Sequence, residues 1–138
     1  MSIRHAILLA SIAFLLAALP ISAHHSFAAQ YDGKKSITLK GKVTKVEWAN
    51  PHVYFYMEAM DENGAVTTWA IKNGPPTTLF REGWRKDTLK QGDAVTVEGF
   101  RAKDGSNTAN ARSVVLSDGR KVFAGSSGDG ATSTNGKQ

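Results

Sequence analysis

Hydrophobic and polar residues alternate along several separate stretches of this chain. Ile37, Leu39, Gly41 and Val43 alternate with Thr38, Lys40 and Lys42, the period-two pattern of a half-buried strand. The apolar phase then slips, because Val46 and Trp48 fall on even positions. One extra residue near Thr44-Lys45 restores the inward face, so the pattern predicts a β-bulge there, with Gly41 as a flexible point. After Asn50-Pro51 a second strand places Val53, Phe55, Met57 and Ala59 on one face and His52, Tyr54, Tyr56 and Glu58 on the other. Asn63-Gly64 accepts a tight hairpin turn, and Val66 to Lys72 reads as the returning strand.

The texture then changes. Pro75 or Pro76 fits the first turn of a helix, where a missing N–H does no harm, and Thr77 to Arg81 forms the helix with Gly83 as its stop. Leu79, Phe80, Trp84 and Leu89 are its expected core contacts. Alternation resumes over Ala94–Phe100 and Ala109–Leu116, with a short last strand at Lys121–Ala124. Strand, strand, strand, short helix, strand, strand is the plan of a small OB-fold-like Greek-key barrel of five to six strands. A β-sandwich would ask for about seven strands and no central helix. The expected class is therefore all-β with one short helix, the barrel running over residues 36–124.

The ends read differently. Arg4, the apolar run Ala6–Leu19, Pro20 and then Ile21-Ser22-Ala23 have the three-part layout of a secretory signal peptide over residues 1–23. The run is too short for a spanning helix, which needs about 20 apolar residues. Export to a periplasm or the exterior is the expectation. Residues 24–35 read as an extended segment leading into the barrel. Residues 125–138 are rich in Gly, Ser and Thr, lack large apolar groups, and read as a disordered tail.

Composition narrows the chemistry. The 138 residues include no Cys, which excludes disulfides, thiolate metal sites and thiol nucleophiles. The net charge of +5 is spread without a dense basic cluster, so no nucleic-acid partner is expected. No G-x-S-x-G, P-loop or H-E-x-x-H is present, and the expected role is binding, not catalysis.

Several stretches together resemble a family of small exported bacterial proteins catalogued as a domain of unknown function, number 6152. They are His24-His25-Ser26-Phe27, Gly41 to Trp48 with Asn50-Pro51-His52, Gly83-Trp84, Gly92-Asp93, and Gly105 to Ala109. The resemblance covers about residues 24–124. It implies export and a small β-barrel-like domain, and it assigns no activity. A more distant similarity of layout is to periplasmic OB-fold stress proteins.

Two binding chemistries are open. Cleavage after Ala23 would give His24 both an α-amine and an imidazole, and His25 or His52 would add another nitrogen. Such nitrogen donors suit Cu(II). Copper or a similar divalent ion is the expected ligand of His24, His25 and His52. The alternative is a glycan or periplasmic protein partner held on exposed aromatics, Tyr54, Tyr56 and Trp69, beside Lys42, Lys45 or Lys72.

Overall fold

The computed structural model describes residues 27–61 and 63–125. The expected signal peptide, His24, His25 and nearly all of the C-terminal tail lie outside these residues. Six strands and one helix follow in order: β1 (Tyr31–Glu47), β2 (Tyr54–Met60), β3 (Val66–Lys72), α1 (Pro76–Arg81), β4 (Ala94–Ala102), β5 (Thr108–Val115) and β6 (Lys121–Phe123).

The strands close into a ring. The first part of β1 pairs antiparallel with β4, and its last part pairs antiparallel with β2. β2 continues to β3 and β4 to β5, again antiparallel. A short parallel contact of Ala70–Lys72 with Thr108–Asn110 joins β3 to β5. The resulting circuit β1-β2-β3-β5-β4-β1 is the strand order of a partly open OB-type Greek-key barrel. β6 is appended to the far half of β5.

One long strand can serve two neighbours only if it bends. The partner of Val43 is Met57 and that of Lys45 is Tyr56, so Thr44 is the extra residue of a bulge, where the phase slip predicted it. Gly41 has a different role from the flexible point expected of it. It pairs with both Ala59 and Val95, and a Cβ there would lie 1.8 Å from the Glu58 carbonyl oxygen. Gly41 is required by the close approach of β2.

β1 starts at Tyr31, upstream of the Ser36 start expected, so residues 31–35 belong to the strand and not to a preceding extended segment. Residues 27–30 form a helical turn before it. Asp32 to Lys35 lack apolar alternation, which hid them. The inward-facing Val53, Phe55, Met57, Ile71 and Val97 fill the barrel, as their spacing requires. Leu79 and Trp84 plug its end, and the Trp84 indole N–H donates to the Phe123 carbonyl at 2.7 Å. Phe80 departs from expectation. A six-residue helix has one inward stripe, used by Leu79, and the next residue points about 100° away. Phe80 is 40% exposed and packs on Trp48, with ring centroids 5.2 Å apart.

Candidate metal centre

His52 sits just before β2, at the end of the barrel where β3 finishes. The β2–β3 ladder continues one rung beyond both strands. The Asn73 amide donates to the Val53 carbonyl at 2.8 Å, and the Val53 amide donates to the Gly74 carbonyl at 3.1 Å. This ladder brings His52 Nδ1 to 3.1 Å from the Asn73 carbonyl oxygen. A carbonyl only accepts, so in this contact Nδ1 carries the proton. In the neutral ring Nε2 then holds the lone pair, the form in which imidazole ligates metals. Ligating histidines commonly donate their other ring N–H to such a carbonyl.

Asn73 was not singled out from the sequence. It is 2% exposed and occupies the inward position that follows Trp69 and Ile71 on β3. Its Nδ2 donates to Ile71 O at 3.1 Å and to Val53 O at 3.3 Å. Its Oδ1 is buried with no partner among the described residues. An unpartnered buried amide oxygen costs about 1–3 kcal/mol. A signal for the pairing existed. Counting rungs outward from the hairpin turn, Met60–Val66 to Tyr54–Lys72, places Val53 opposite Asn73.

The start of the described chain is tied to the same corner. Phe27 stacks on Tyr31 with centroids 5.7 Å apart and meets Phe100 edge-on at 5.7 Å. Tyr31 is 3% exposed, and Lys72 Nζ lies 5.7 Å from its ring centroid. Lys72 immediately precedes Asn73. The Lys103 amide donates to Gln30 O at 2.9 Å, and Lys103 Nζ donates to Ala28 O. His25 and His24 are two and three residues before Phe27, a reach of roughly 10 Å when extended. Among the described residues no group of three His, Asp or Glu is placed to hold a metal. A three-nitrogen site therefore needs His24 and His25.

The aromatic candidates divide. Tyr54 and Tyr56 share the outer face of β2. The Tyr56 hydroxyl donates to Glu47 Oε2 at 3.3 Å, and Lys45, paired with Glu47, stands 5.6 Å from the Tyr56 ring centroid. The hydrogen bond from Lys45 lowers the Glu47 pKa below the usual carboxylate value. Burial, with a smaller contribution from Tyr56, pushes the Tyr54 phenol up. Trp69 does not join them. It is 7% exposed on the opposite, core face and pairs with Met57, and its Nε1 donates to Thr67 Oγ1 at 3.0 Å. The Arg101 guanidinium covers its ring at 5.1 Å. Alternation along β3 separates Trp69 from the outer face because the residue across the ladder from Tyr56 is Ala70.

A model of the family of unknown function DUF6152 matches residues 13–111. The chain belongs to this family. No curated protein matches it. Among solved structures, the dimeric N-terminal domain of PriB protein from Thermoanaerobacter tencongensis is similar at 21% identity. That alignment covers 60% of this chain and 96% of the other, with a TM-score of 0.38. The assignment of a barrel rests on strand order and register, independently of that likeness. None of the described helices is long and apolar enough to cross a membrane.

Proposed function

We propose that this DUF6152 protein is exported to the periplasm, processed after Ala23, and acts there as a binding protein for a divalent copper ion. His24, His25 and His52 would hold the ion, His24 adding the new α-amine. The observation that carries this reading is the Nδ1 contact of His52 with the Asn73 carbonyl, at the corner where the aromatic clasp of Phe27 and Tyr31 ties down the N-terminal segment. The chemistry of the donors fits: imidazole and amine nitrogens rank Cu(II) above the other divalent first-row ions. The ion when bound would supply a redox-active centre. The chain's own part is to deliver neutral nitrogens and to hold one imidazole in a fixed tautomer.

Titration of the processed protein with Cu(II), followed by visible absorption and circular dichroism, tests this. One equivalent should bind, with affinity reduced in both His24→Ala and His52→Ala. Uptake by both variants equal to that of the parent protein would overturn it.

A second reading has its own support. Tyr54 and Tyr56 lie on the strand 2–3 face that OB-folds use for extended polymers, which favours an envelope glycan as ligand. Retention on such a polymer should then fall in Tyr54→Ala/Tyr56→Ala with the fold intact, and unchanged retention would exclude it.

A further inference from the structure

The strand register orders the outer face of the sheet. Glu47, Tyr54 and Lys72 stand in one row across β1, β2 and β3, and Lys45, Tyr56 and Ala70 stand in the next. The second row runs on to Thr108 of β5, which pairs with Ala70. Neighbouring strands lie about 4.8 Å apart, so Tyr56 and Thr108 are separated by about 10 Å. Only the Ala70 methyl group stands between them. The face is therefore a shallow trough, with Ala70 as its floor and the half-buried rings of Tyr54 and Tyr56 as one wall. Thr108, on the other side, also belongs to the lining of a cleft of about 570 Å³, with Gln30, Tyr31, Lys103, Asp104 and Ser106.

Charge on this surface is unevenly matched. Glu47 is taken by Lys45 and by the Tyr56 hydroxyl, and Asp104 accepts the Ser106 amide at 2.9 Å. Lys42 and Glu58 face each other in the row beyond. Lys72 and Lys103 have no ion pair among the described residues. Lys72 Nζ stands over the Tyr31 ring, and Lys103 Nζ donates to the Ala28 carbonyl. Lys72 is two residues along β3 from Ala70, about 7 Å, so one unmatched cation borders the trough and the other borders the cleft.

We propose that this surface takes an acidic polysaccharide, with a sugar ring over Ala70 against Tyr54 and Tyr56 and the chain's carboxylates meeting Lys72 and Lys103. The proposal rests on the reading of the Tyr54 and Tyr56 face as a glycan site, and it names the class of glycan. The apolar face of a sugar ring matches the aromatic wall. Its hydroxyls both donate and accept, as do Gln30, Ser106 and Thr108. Carboxylates repeated along the chain supply the counter-charge that Lys72 and Lys103 lack. A neutral glycan would leave both cations unmatched.

Isothermal titration of the exported, processed protein tests this with polygalacturonate, its methyl ester and single-stranded poly(dT). The ester keeps the sugar chain and masks its carboxylates. The parent should bind the ester roughly 2- to 20-fold more weakly than the acid, the range expected of two exposed ion pairs. Lys72→Gln/Lys103→Gln should abolish that preference, and Lys72→Arg/Lys103→Arg should keep it. Tyr54→Ala/Tyr56→Ala should weaken both forms. Equal binding of acid and ester by the parent, or a preference that survives in the Gln pair, overturns this inference and leaves the glycan reading standing. Binding of neither form, or unchanged binding in the tyrosine pair, removes the glycan reading and this inference with it. Poly(dT) bound as tightly as polygalacturonate also overturns the proposal, in favour of a nucleic acid.

Discussion

Gly41→Ala, in the middle of β1, should damage this barrel more than a methyl added at any of its turn glycines. The added Cβ would lie 1.8 Å from Glu58 O, 2.7 Å from Glu58 C and 2.9 Å from the Ala59 Cα, all backbone atoms. Ordinary contact begins near 3.4 Å, so β1 and β2 must part by about 1.6 Å. Gly41 is held on its other side by Val95, and the strand cannot simply slide away. Opening that much gives up roughly two ladder hydrogen bonds, each worth about 0.5–1.5 kcal/mol. Overpacking adds about 1–3 kcal/mol. The expected loss is about 3 kcal/mol, or a fall in melting temperature of roughly 10–20 °C for a domain of this size. Gly64→Ala is the control. Gly64 has φ of +81° with open space around it, so only the left-handed backbone penalty of about 1–2 kcal/mol applies. Thermal melts by circular dichroism, with urea unfolding to check two-state behaviour, compare the two. A Gly41→Ala melting temperature within 3 °C of the parent, or a larger loss in Gly64→Ala, would refute the close-approach account.

Trp84→Phe removes the indole bond to Phe123 O and strands a carbonyl at the barrel end, so urea unfolding should register a loss of about 1–3 kcal/mol. Phe27→Ala breaks two ring contacts worth about 0.5–1.5 kcal/mol each, and should weaken Cu(II) binding by isothermal titration while the core melts within a few degrees of the parent. Glu98 has its pKa lowered, first by the Lys121 hydrogen bond and then by that of Ser113. Its folded value is below its unfolded one, so its contribution is present above the ordinary value of 4.5 and is lost as pH falls through the folded pKa. Glu98→Gln should therefore flatten the acid limb of a stability-versus-pH curve measured by urea unfolding, and leave the slope above pH 6 unchanged. Copper affinity should fall steeply as pH drops below about 6.5, where imidazole protonates, and a flat affinity from pH 7.5 to 5 would exclude histidine donors.

Much of the barrel was legible because alternation is a local signal. The face of β2 that holds Phe55 and Met57, the Thr44 bulge and the Pro-initiated helix all follow from neighbours within a few residues. What was hidden is non-local. Asp32 to Lys35 are polar and fall in the irregularity between two rungs to β4, Tyr31 to Ala102 and Ser36 to Phe100, which no local alternation announces. Phe80 has the character of a core residue, but a helix this short has one inward stripe, and Pro76 and Leu79 fill it. Trp69 was grouped with Tyr54 and Tyr56 by residue type, although the hairpin register puts it on the opposite face. Gly41 and Gly64 look alike in a sequence, yet one is needed for contact and the other for backbone angle. Asn73 carries no motif, and its importance comes from the residue 21 positions earlier whose ring it receives.

The proposed function requires three histidines of one chain to meet at one metal. Electron paramagnetic resonance of the exported, processed protein with one equivalent of Cu(II) tests it most directly, with the mass of the same sample fixing its first residue. The expected result is a chain beginning at His24 and a spectrum with nitrogen splitting that changes in His52→Ala. A chain that still carries the leader, or a Cu(II) spectrum identical with and without the His52 imidazole, would contradict it.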